Sequence, residues 1–335
     1  RPGAPPLPDG QVPMLEIPKD DDLLVRTAWL YHVGGQSQEE VGQALGISRF
    51  RVTRMLAEAR ERGIVRIAIE HATTETLKAA DKLTAGYGLR ECIVTPKLGV
   101  DPAAPPSEAE AEMARRAVGI AAAGLLARKL QSDGPVTIGI GLGRTIARMA
   151  EAISGVRKKD VRFVSLVGSL TRTAKANPFD VCTQLAATCG GEAYFLAAPY
   201  LVDSEADVDV IMSQRIVRET LEVARAADVY FVGCGECREG STLHSSGLVT
   251  AEEFATVSAA GAVVDSTGKF FDARGRIVPT ELNNRTIAVS LDDLMSHEVV
   301  LLAGGRVKAE PVRAMLATGI VDRLVVDGDL AELLV

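Results

Sequence analysis

The chain has 335 residues, of which 47% are hydrophobic and 24% are charged, and its formal net charge at pH 7 is -7. This length predicts about two domains, and the composition is typical of a globular protein. The longest apolar run, residues 117–127, is shorter than the roughly 18 to 20 residues that a membrane-spanning helix needs, so we expect no membrane anchor.

Residues 1–21 are predicted to be a disordered tail, because six prolines lie among the first twenty residues and no secretory apolar segment is present. The five cysteines are spread over a large chain, unlike the disulfide framework of a small secreted domain. This pattern favours a reducing compartment, and we expect a cytoplasmic protein. The four histidines lack ligand spacing, so we expect no metal ion, and we expect no cofactor.

Residues 22–72 are predicted to form three helices followed by a strand, VRIAIEH, and the second and third helices have a helix-turn-helix pattern. The apolar spacing breaks at Gly46, where a tight turn would need a positive φ. Gly42 would let the two helices approach closely, Ser48 fits the N-cap of the third helix, and Gly63 fits the cap that ends it.

Arginines are concentrated in the third helix of this domain. Residues 49–66 contain six arginines and two glutamates, so a positive segment lies within an acidic chain. Such a patch can bind DNA phosphates against the repulsion of the other charges, and arginine can bind guanine through two hydrogen bonds. A solvated surface helix is the alternative, but the coincidence with the turn favours DNA binding. The residues predicted to contact DNA are Gln38, Ser48, Arg49, Phe50, Arg51, Thr53 and Arg54.

The rest of the chain is predicted to contain a connecting helix at residues 73–90 and an effector domain at residues 91–335. From residue 133 onward, continuous apolar runs alternate with helical stretches, which predicts a doubly wound α/β domain with a parallel sheet. The predicted strands are PVTIGIG, VRFVSLVG, DVYFVGCG, RTIAVSL, EVVLLAGG and DRLVVDG. The predicted helices lie near residues 107–130, 143–154, 177–189, 207–226, 250–260 and 307–318.

Two glycine-rich turns, GIGLGRT and AGGRVKAE, each follow a predicted strand and open a helix. Backbone N–H groups at such a helix N-terminus can bind an anion. The first turn lacks the Lys-Ser/Thr ending of a nucleotide-binding P-loop, so nucleotide hydrolysis is not indicated. Turns that serve packing alone, and a solvated Lys308, are the alternatives to a ligand site.

The segment CGEC, Cys234 to Cys237, has the spacing of a redox pair. No other thioredoxin-like feature accompanies it, so a buried or loop cysteine pair is preferred to a redox sensor.

Five segments in order resemble the SorC/DeoR-type sugar-binding transcriptional regulators over residues 22–335. They are AWLYHVGGQSQEEVGQALGISRFRVTRML, IGIGLGRTIARMA, NPFDVCTQLAATCGGEAYFLAAPY, GAVVDSTGKFFDARGRIVPTELNNRTIAVSL and AGGRVKAEPVRAMLATGIVDRLVVD. The NPFDV segment resembles the branch linked to sugar-alcohol regulators.

The resemblance implies that the large domain is similar to sugar-phosphate isomerases but serves as an effector sensor. It implies a lysine contact at Lys308 and an acidic contact at Asp265, although Val264 stands where the family often has glycine. Asp180 is left open between capping a helix and facing the ligand. The residues expected to contact the effector are Gly141, Gly143, Arg144, Thr145, Gly168, Ser169, Asp265, Phe270, Asn283, Gly304 and Lys308.

The function expected from these features is transcriptional regulation rather than catalysis. Its partners would be operator DNA and a sugar, a sugar alcohol or a phosphorylated derivative. A homodimer or homotetramer is expected, because one helix-turn-helix makes too few contacts for specific binding. The alternative is a sugar-phosphate isomerase-like enzyme fused to a DNA-binding domain, which would use Asp265, Lys269 and Lys308.

Overall fold

Two compact units make up the part of the chain that the computed structural model describes, one ending by residue 65 and the other beginning at residue 74. The described residues are 19–65, 74–101, 103–170, 177–238, 241 and 249–335. Most of the predicted tail and all but the first residue of the predicted strand VRIAIEH lie outside them. The first helix begins at Lys19, so residues 19–21, predicted to belong to the tail, are helical.

Residues 19–65 form three helices around a small apolar core. The helices are α1 (Lys19–His32), α2 (Gln38–Leu45) and α3 (Arg49–Glu61). The buried residues of this core are Leu24, Ala28, Val41, Val52, Met55, Leu56 and Ala59. Their helical spacing turns one face of each helix inward and leaves the polar faces outside.

The turn between α2 and α3 has the predicted helix-turn-helix geometry. Gly46 has a left-handed φ of 66°, which other residues rarely adopt. A Cβ at Gly42 would lie 2.8 Å from the Ile47 carbonyl oxygen, so only glycine allows this close approach. The Ser48 hydroxyl accepts a hydrogen bond from the Arg51 N–H at 3.2 Å and caps α3.

A parallel sheet forms the centre of the second unit and confirms the predicted doubly wound α/β class. The strands of this unit are β1 (Glu91–Val94), β2 (Val136–Ile140), β3 (Val161–Ser165), β4 (Glu192–Tyr194), β5 (Val229–Gly233), β6 (Gly235–Glu236), β7 (Ala262–Ser266), β8 (Lys269–Asp272), β9 (Val299–Ala303) and β10 (Arg323–Val326). Seven of them pair in parallel in the order β1-β10-β9-β5-β2-β3-β4. The strands β6, β7 and β8 form a separate antiparallel sheet.

Helices of the second unit cover both faces of the parallel sheet and also pack around the antiparallel sheet. They are α4 (Thr74–Tyr87), α5 (Glu108–Leu130), α6 (Arg144–Ala152), α7 (Pro178–Cys189), α8 (Glu205–Met212), α9 (Arg215–Arg225), α10 (Ala251–Ala259), α11 (Glu281–Arg285), α12 (Leu291–Ser296), α13 (Ala309–Ala317) and α14 (Gly328–Leu334). In β5, Tyr230 belongs to the apolar core on one face and Phe231 to the core on the other. Because both faces are covered, the middle strands β2, β5 and β9 are buried throughout, which explains their unbroken apolar runs.

The predicted connecting helix belongs to the second unit. Helix α4 packs against β1 and α14, and Leu83 on its inner side is buried in one of the two sheet cores. The predicted helix near residues 207–226 is two helices, because Gln214 between α8 and α9 has extended backbone dihedrals.

The prediction of a core strand at RTIAVSL is wrong. This segment lies between α11 and α12 and forms only isolated bridges, from Ala288 to Val167 and from Thr286 to Leu201. Ile287 and Val289 are fully buried, so the apolar pattern resembled that of a strand. The backbone of this segment alternates between two different partner segments, which prevents a continuous ladder with either.

Candidate functional site

The N-terminal half of α3 presents an exposed basic surface. Arg49, Arg51 and Arg54 are exposed, and Phe50 between them is 80% exposed. Within the described residues, none of these three arginines forms an ion pair with a carboxylate. Arg62, by contrast, pairs with Asp21 and with Glu58. The positive charge is therefore available at the end of α3 that enters the major groove in this motif.

The other residues predicted at this surface fix its geometry. The Thr53 hydroxyl donates a hydrogen bond to Gln38 Oε1 at 2.8 Å, which ties α3 to the first turn of α2. Ser48 is engaged as the N-cap of α3. All seven residues predicted to contact DNA thus lie on or beside the first two turns of α3 or at the start of α2.

A crevice in the second unit lies at the carboxyl ends of the central strands. The chain continues from β2 to β3 on one side of the sheet, whereas β9 lies on the other side of β5, so the strand order reverses between β2 and β5. Ligands of open α/β sheets bind at such a point. The crevice is lined by Arg115, Leu142, Gly143, Arg144, Thr145, Tyr200, Gly233, Cys234, Gly235, Asp265, Ser266, Thr267, Leu302 and Lys308.

Five of the residues predicted to bind an effector line this crevice. Gly143, Arg144 and Thr145 come from the turn after β2 and the first turn of α6. Asp265 comes from β7, and Lys308 comes from the 3-10 turn that follows β9. Residues from three separate stretches of the chain therefore meet at one edge of the sheet.

Asp265 is the buried acidic group of the crevice. Its Oδ1 lies directly above Gly235 on the neighbouring strand β6, where a Cβ would be only 1.8 Å away. Burial raises the pKa of the Asp265 carboxyl to about 7, although the nearby Lys308 ammonium lowers it. A carboxyl with this pKa changes charge near neutral pH, so it can accept or donate hydrogen bonds there.

Lys308 is the positively charged residue of the crevice that acts on the pKa of Asp265. Its ammonium donates a hydrogen bond to the Cys234 carbonyl at 2.7 Å and lies 3.3 Å from Glu236 Oε1. The Lys308 and Glu236 side chains are only 12% and 8% exposed. A buried charge needs hydrogen-bonded partners, and the Cys234 carbonyl and Glu236 are the partners that stabilise the Lys308 ammonium near Asp265.

Two buried oxygens in the crevice have no hydrogen-bond partner among the described residues. They are Asp265 Oδ1 and Thr267 Oγ1. Thr267 also has a left-handed φ of 49°, which is costly for a β-branched residue. Buried polar atoms are nearly always paired in proteins. The two oxygens are therefore suited to hydroxyl or other polar groups of a bound ligand.

The remaining predicted effector residues do not line the crevice. Gly141 lies directly before Leu142, which lines the crevice. Gly168 packs so tightly that a Cβ would lie 2.3 Å from the Pro199 carbonyl oxygen. Ser169 pairs with Pro199 in an isolated bridge, and a Cβ at Gly304 would meet the backbone of α5. These positions shape the backbone around the crevice.

Phe270 and Asn283 have structural roles. Phe270 is buried in a small apolar cluster beside the crevice. The Asn283 side chain accepts from the Phe270 N–H at 2.9 Å and donates to the Val278 carbonyl at 2.7 Å. Asp180 lies in the first turn of α7, whose N-cap is Asn177, and it does not line the crevice.

Arg115, Gly235 and Thr267 are crevice residues that the sequence did not single out. Arg115 is 4% exposed. Its only sequence signal is its position on the buried stripe of α5, at helical spacing from Ala111 and Val118. Gly235 and Thr267 carry no comparable signal, because their importance comes from the pairing of β6 with β7 and from the hairpin that joins β7 to β8.

The cysteine pair lies at the edge of this crevice. Burial raises the pKa of Cys234 to about 11 and raises the pKa of Cys237 as well. Both thiols are therefore protonated at neutral pH and weakly reactive. In the described part of the chain, no group of His, Cys, Asp or Glu side chains has the arrangement of a metal site. None of the helices described there is long and apolar enough to cross a membrane.

Comparisons with known proteins agree with both halves of this architecture. Residues 71–335 match the family described as "Putative sugar-binding domain". The chain is 33% identical over 316 residues to the erythritol catabolism regulatory protein EryD of Brucella abortus (strain 2308), covering 94% of this chain and 97% of that one. It is 30% identical over 317 residues to the transcriptional regulator LsrR of Escherichia coli (strain K12), covering 93% and 94%. The full-length sorbitol operon regulator SorC of Klebsiella pneumoniae has a similar structure, with a TM-score of 0.70, 25% identity and coverage of 94% and 98%.

The contact between Gly235 and Asp265 predicts a conditional effect of alanine. Gly235→Ala places a methyl group against Asp265 Oδ1, and we expect it to destabilise the second unit by about 1 to 3 kcal/mol, as other overpacking changes do. In an Asp265→Ala background the clash is absent, so the same change should cost much less. Thermal unfolding of the wild type, the two single variants and the double variant measures this coupling. Gly124→Ala in α5, where nothing lies within 4 Å of a Cβ, is the control. Equal costs in both backgrounds would show that the contact does not exist.

Proposed function

Because the chain belongs to the SorC/DeoR-type family of sugar-binding transcriptional regulators, we propose that it binds operator DNA through α3 and a sugar alcohol, or its phosphate, in the crevice of the second unit. The observation that carries the ligand half of the proposal is the pair of buried oxygens of Asp265 and Thr267, which have no hydrogen-bond partner in the described part of the chain and lie in the same crevice as Lys308. A polyol offers adjacent hydroxyls that can donate to a carboxylate and accept from an ammonium.

The class of effector is inferred from this chemistry together with the relatives. EryD is named for erythritol catabolism and SorC for the sorbitol operon, and both of these compounds are sugar alcohols. Arg115 and Arg144 in the crevice would suit an additional phosphate group. We therefore propose a short sugar alcohol or its phosphate as the effector, and carbohydrate catabolism genes as the regulated targets.

The DNA half of the proposal depends on Arg49, Arg51 and Arg54 of α3, which form no ion pair with another described residue. Each copy would read one half-site of a pseudo-palindromic operator, so a homodimer or homotetramer is the working form. Effector binding would change the operator affinity by favouring one arrangement of the subunits over another. Operator binding also places the working protein in the cytoplasm.

An enzymatic function is the alternative, and one observation favours it. A carboxyl with a pKa of about 7 beside a lysine is suited to general acid–base catalysis. Lys269, which this hypothesis would also use, does not line the crevice, and its ammonium donates to the Asn283 carbonyl at 2.6 Å. Turnover of any compound in a panel of pentose and hexose phosphates would favour the enzyme over the regulator.

Asp265→Asn tests the role of the carboxylate. A thermal-shift panel of sugar alcohols, sugars and their phosphates should contain a compound that raises the melting temperature of the wild type and changes its affinity for the operator. The amide variant should retain operator binding and lose most of this response. An equal response in wild type and variant would contradict the proposed site.

The same variant has a pH signature in the absence of ligand. The folded-state pKa of Asp265 is raised, so the folded protein holds a proton that the unfolded chain has released. The wild type should therefore lose stability relative to Asp265→Asn as the pH rises from about 4 to 7, and the difference should level off above that range. Melting temperatures measured against pH would reveal this trend.

Arg51→Ala and Arg54→Ala test the DNA surface. If one of these arginines binds a base edge, its alanine variant should bind the operator about 1 to 3 kcal/mol more weakly. The variant should also discriminate less between bases at one operator position. Arg60→Ala, an exposed residue of the same charge near the other end of α3, is the control. Fluorescence anisotropy with operator and with unrelated DNA separates base contacts from phosphate contacts. Unchanged operator affinity in both variants would contradict the proposed surface.

A further inference from the structure

Glu108, the first residue of α5, joins two arginines that line the crevice. Its Oε1 lies 2.5 Å from Arg115 Nη2 and 3.0 Å from Arg144 Nη1. Both arginines are among the residues that line the crevice, whereas the Glu108 side chain is 72% exposed. A single carboxylate oxygen from the rim of the crevice thus occupies the point where two of its positive groups converge.

The two arginines depend on Glu108 to different extents. Arg115 is nearly fully buried and also pairs with Glu112 at 3.0 Å, so it has a second carboxylate that holds it in place. For Arg144, Glu108 is the one carboxylate within ion-pair distance among the described residues. An ion pair with so exposed a carboxylate is weak, because water and salt screen it. Glu108 can therefore leave at little cost, and its departure leaves Arg144 without an anionic partner.

An anion that replaced Glu108 would meet a prepared site. Guanidinium groups bind phosphate oxygens through paired, charge-assisted hydrogen bonds. The Arg115 guanidinium is already ordered by Glu112, and Arg144 is fixed at the first position of α6. In the same crevice, the oxygens of Asp265 and Thr267 that no described residue hydrogen-bonds are suited to hydroxyl groups rather than to an anion.

We propose that Glu108 is an internal competitor of the effector, whose carboxylate is displaced from Arg144 and Arg115 by a phosphate group. This inference rests on the proposed function of the crevice as an effector site. Glu108 thereby sets the affinity for phosphorylated ligands without affecting unphosphorylated ones. It is a specificity-determining residue at the rim, and it turns into solvent when a phosphate ester binds.

Binding of inorganic phosphate to the full-length protein tests the competition directly. Glu108→Gln keeps the shape of the side chain and removes its charge, and we expect it to tighten phosphate binding about two- to fivefold by calorimetry, in line with the weak pair that is lost. Glu108→Asp keeps the charge on a shorter side chain, so it should also tighten binding. Replacing Arg144 by glutamine in the Glu108→Gln protein should remove the gain.

Glu205→Gln is the matched control. Glu205 is also an exposed first residue of a helix that follows a serine N-cap, and no ion pair involves it in the described part of the chain. Melting temperatures without ligand check that every variant is folded. A gain in phosphate affinity as large in Glu205→Gln as in Glu108→Gln would show a general charge effect and overturn the proposal, as would equal affinity in wild type and Glu108→Gln or undetectable phosphate binding in both.

Two further ligands test whether the effect of Glu108 requires a phosphate group on a sugar alcohol. They also show which of the two proposals, the regulatory function or the competition by Glu108, fails. Erythritol 4-phosphate should gain affinity in Glu108→Gln, and erythritol should not. Tighter phosphate binding with no change in operator affinity caused by any ligand would leave the competitor intact and contradict the regulatory function. A change in operator affinity caused by erythritol alone, with the affinity for erythritol 4-phosphate unaffected by Glu108→Gln, would leave the regulatory function intact and contradict the competitor.

Discussion

The buried carboxylate of Asp265 is the constraint around which the crevice is built. Its position above Gly235 requires glycine on β6, and its burial requires the Lys308 ammonium nearby, which in turn is held by Glu236. The fold supplies neither a hydrogen bond to Oδ1 nor one to the Thr267 hydroxyl among the described residues. A site with unpaired buried oxygens is less stable than it could be, and a ligand with hydroxyl groups would remove the deficit under the proposed function.

The position of this site follows from the sheet. Strands β2, β5 and β9 are buried on both faces, so their side chains belong to the two cores and are not available for binding. Only the segments beyond their carboxyl ends can carry polar groups into a common crevice. The inserted antiparallel sheet, which carries Asp265, adds a wall to that edge. The parallel sheet thus determines where the crevice lies, and the antiparallel sheet contributes Asp265 to it.

The two units use arginine in opposite ways. In the second unit, Arg115 and Arg306 are held by carboxylates within the unit. In the first unit, Arg51 and Arg54 project from α3 without such partners among the described residues. Arginine satisfied inside a domain contributes to its structure and selectivity, whereas arginine left unpaired on a helix is available for DNA phosphates and base edges. The local charge excess seen in the sequence corresponds to this difference.

Much of the fold could be predicted because its strongest signals are local. Continuous apolar runs predicted the central strands, and Gly46 with Ser48 predicted the turn of the helix-turn-helix. The edge strands β1 and β4 are short and partly exposed, so they carry no comparable run. RTIAVSL was misassigned because burial in a connecting segment produces the same composition as burial in a strand.

The candidate site was predicted only where residues follow a strand or match the family. Arg144, Asp265 and Lys308 were found in this way, and the structure brings them to one crevice. Gly235 and Arg115 were not found, because a close approach between strands and a buried charge on a helix are visible only in three dimensions. Asn283 was chosen for its amide, but its hydrogen bonds are used within the fold.

The titration of Asp265 is the most direct test of the central claim, which is that its buried carboxylate can accept hydrogen bonds from a bound ligand. Selective 13C labelling of aspartate would allow its carboxyl shift to be followed against pH, with Asp265→Asn identifying the signal. We predict a pKa of about 7 without ligand, and a lower pKa once a polyol or polyol phosphate that raises the melting temperature donates hydrogen bonds to the carboxylate. A pKa near that of an ordinary aspartate, about 4, unchanged by such a ligand, would contradict the account.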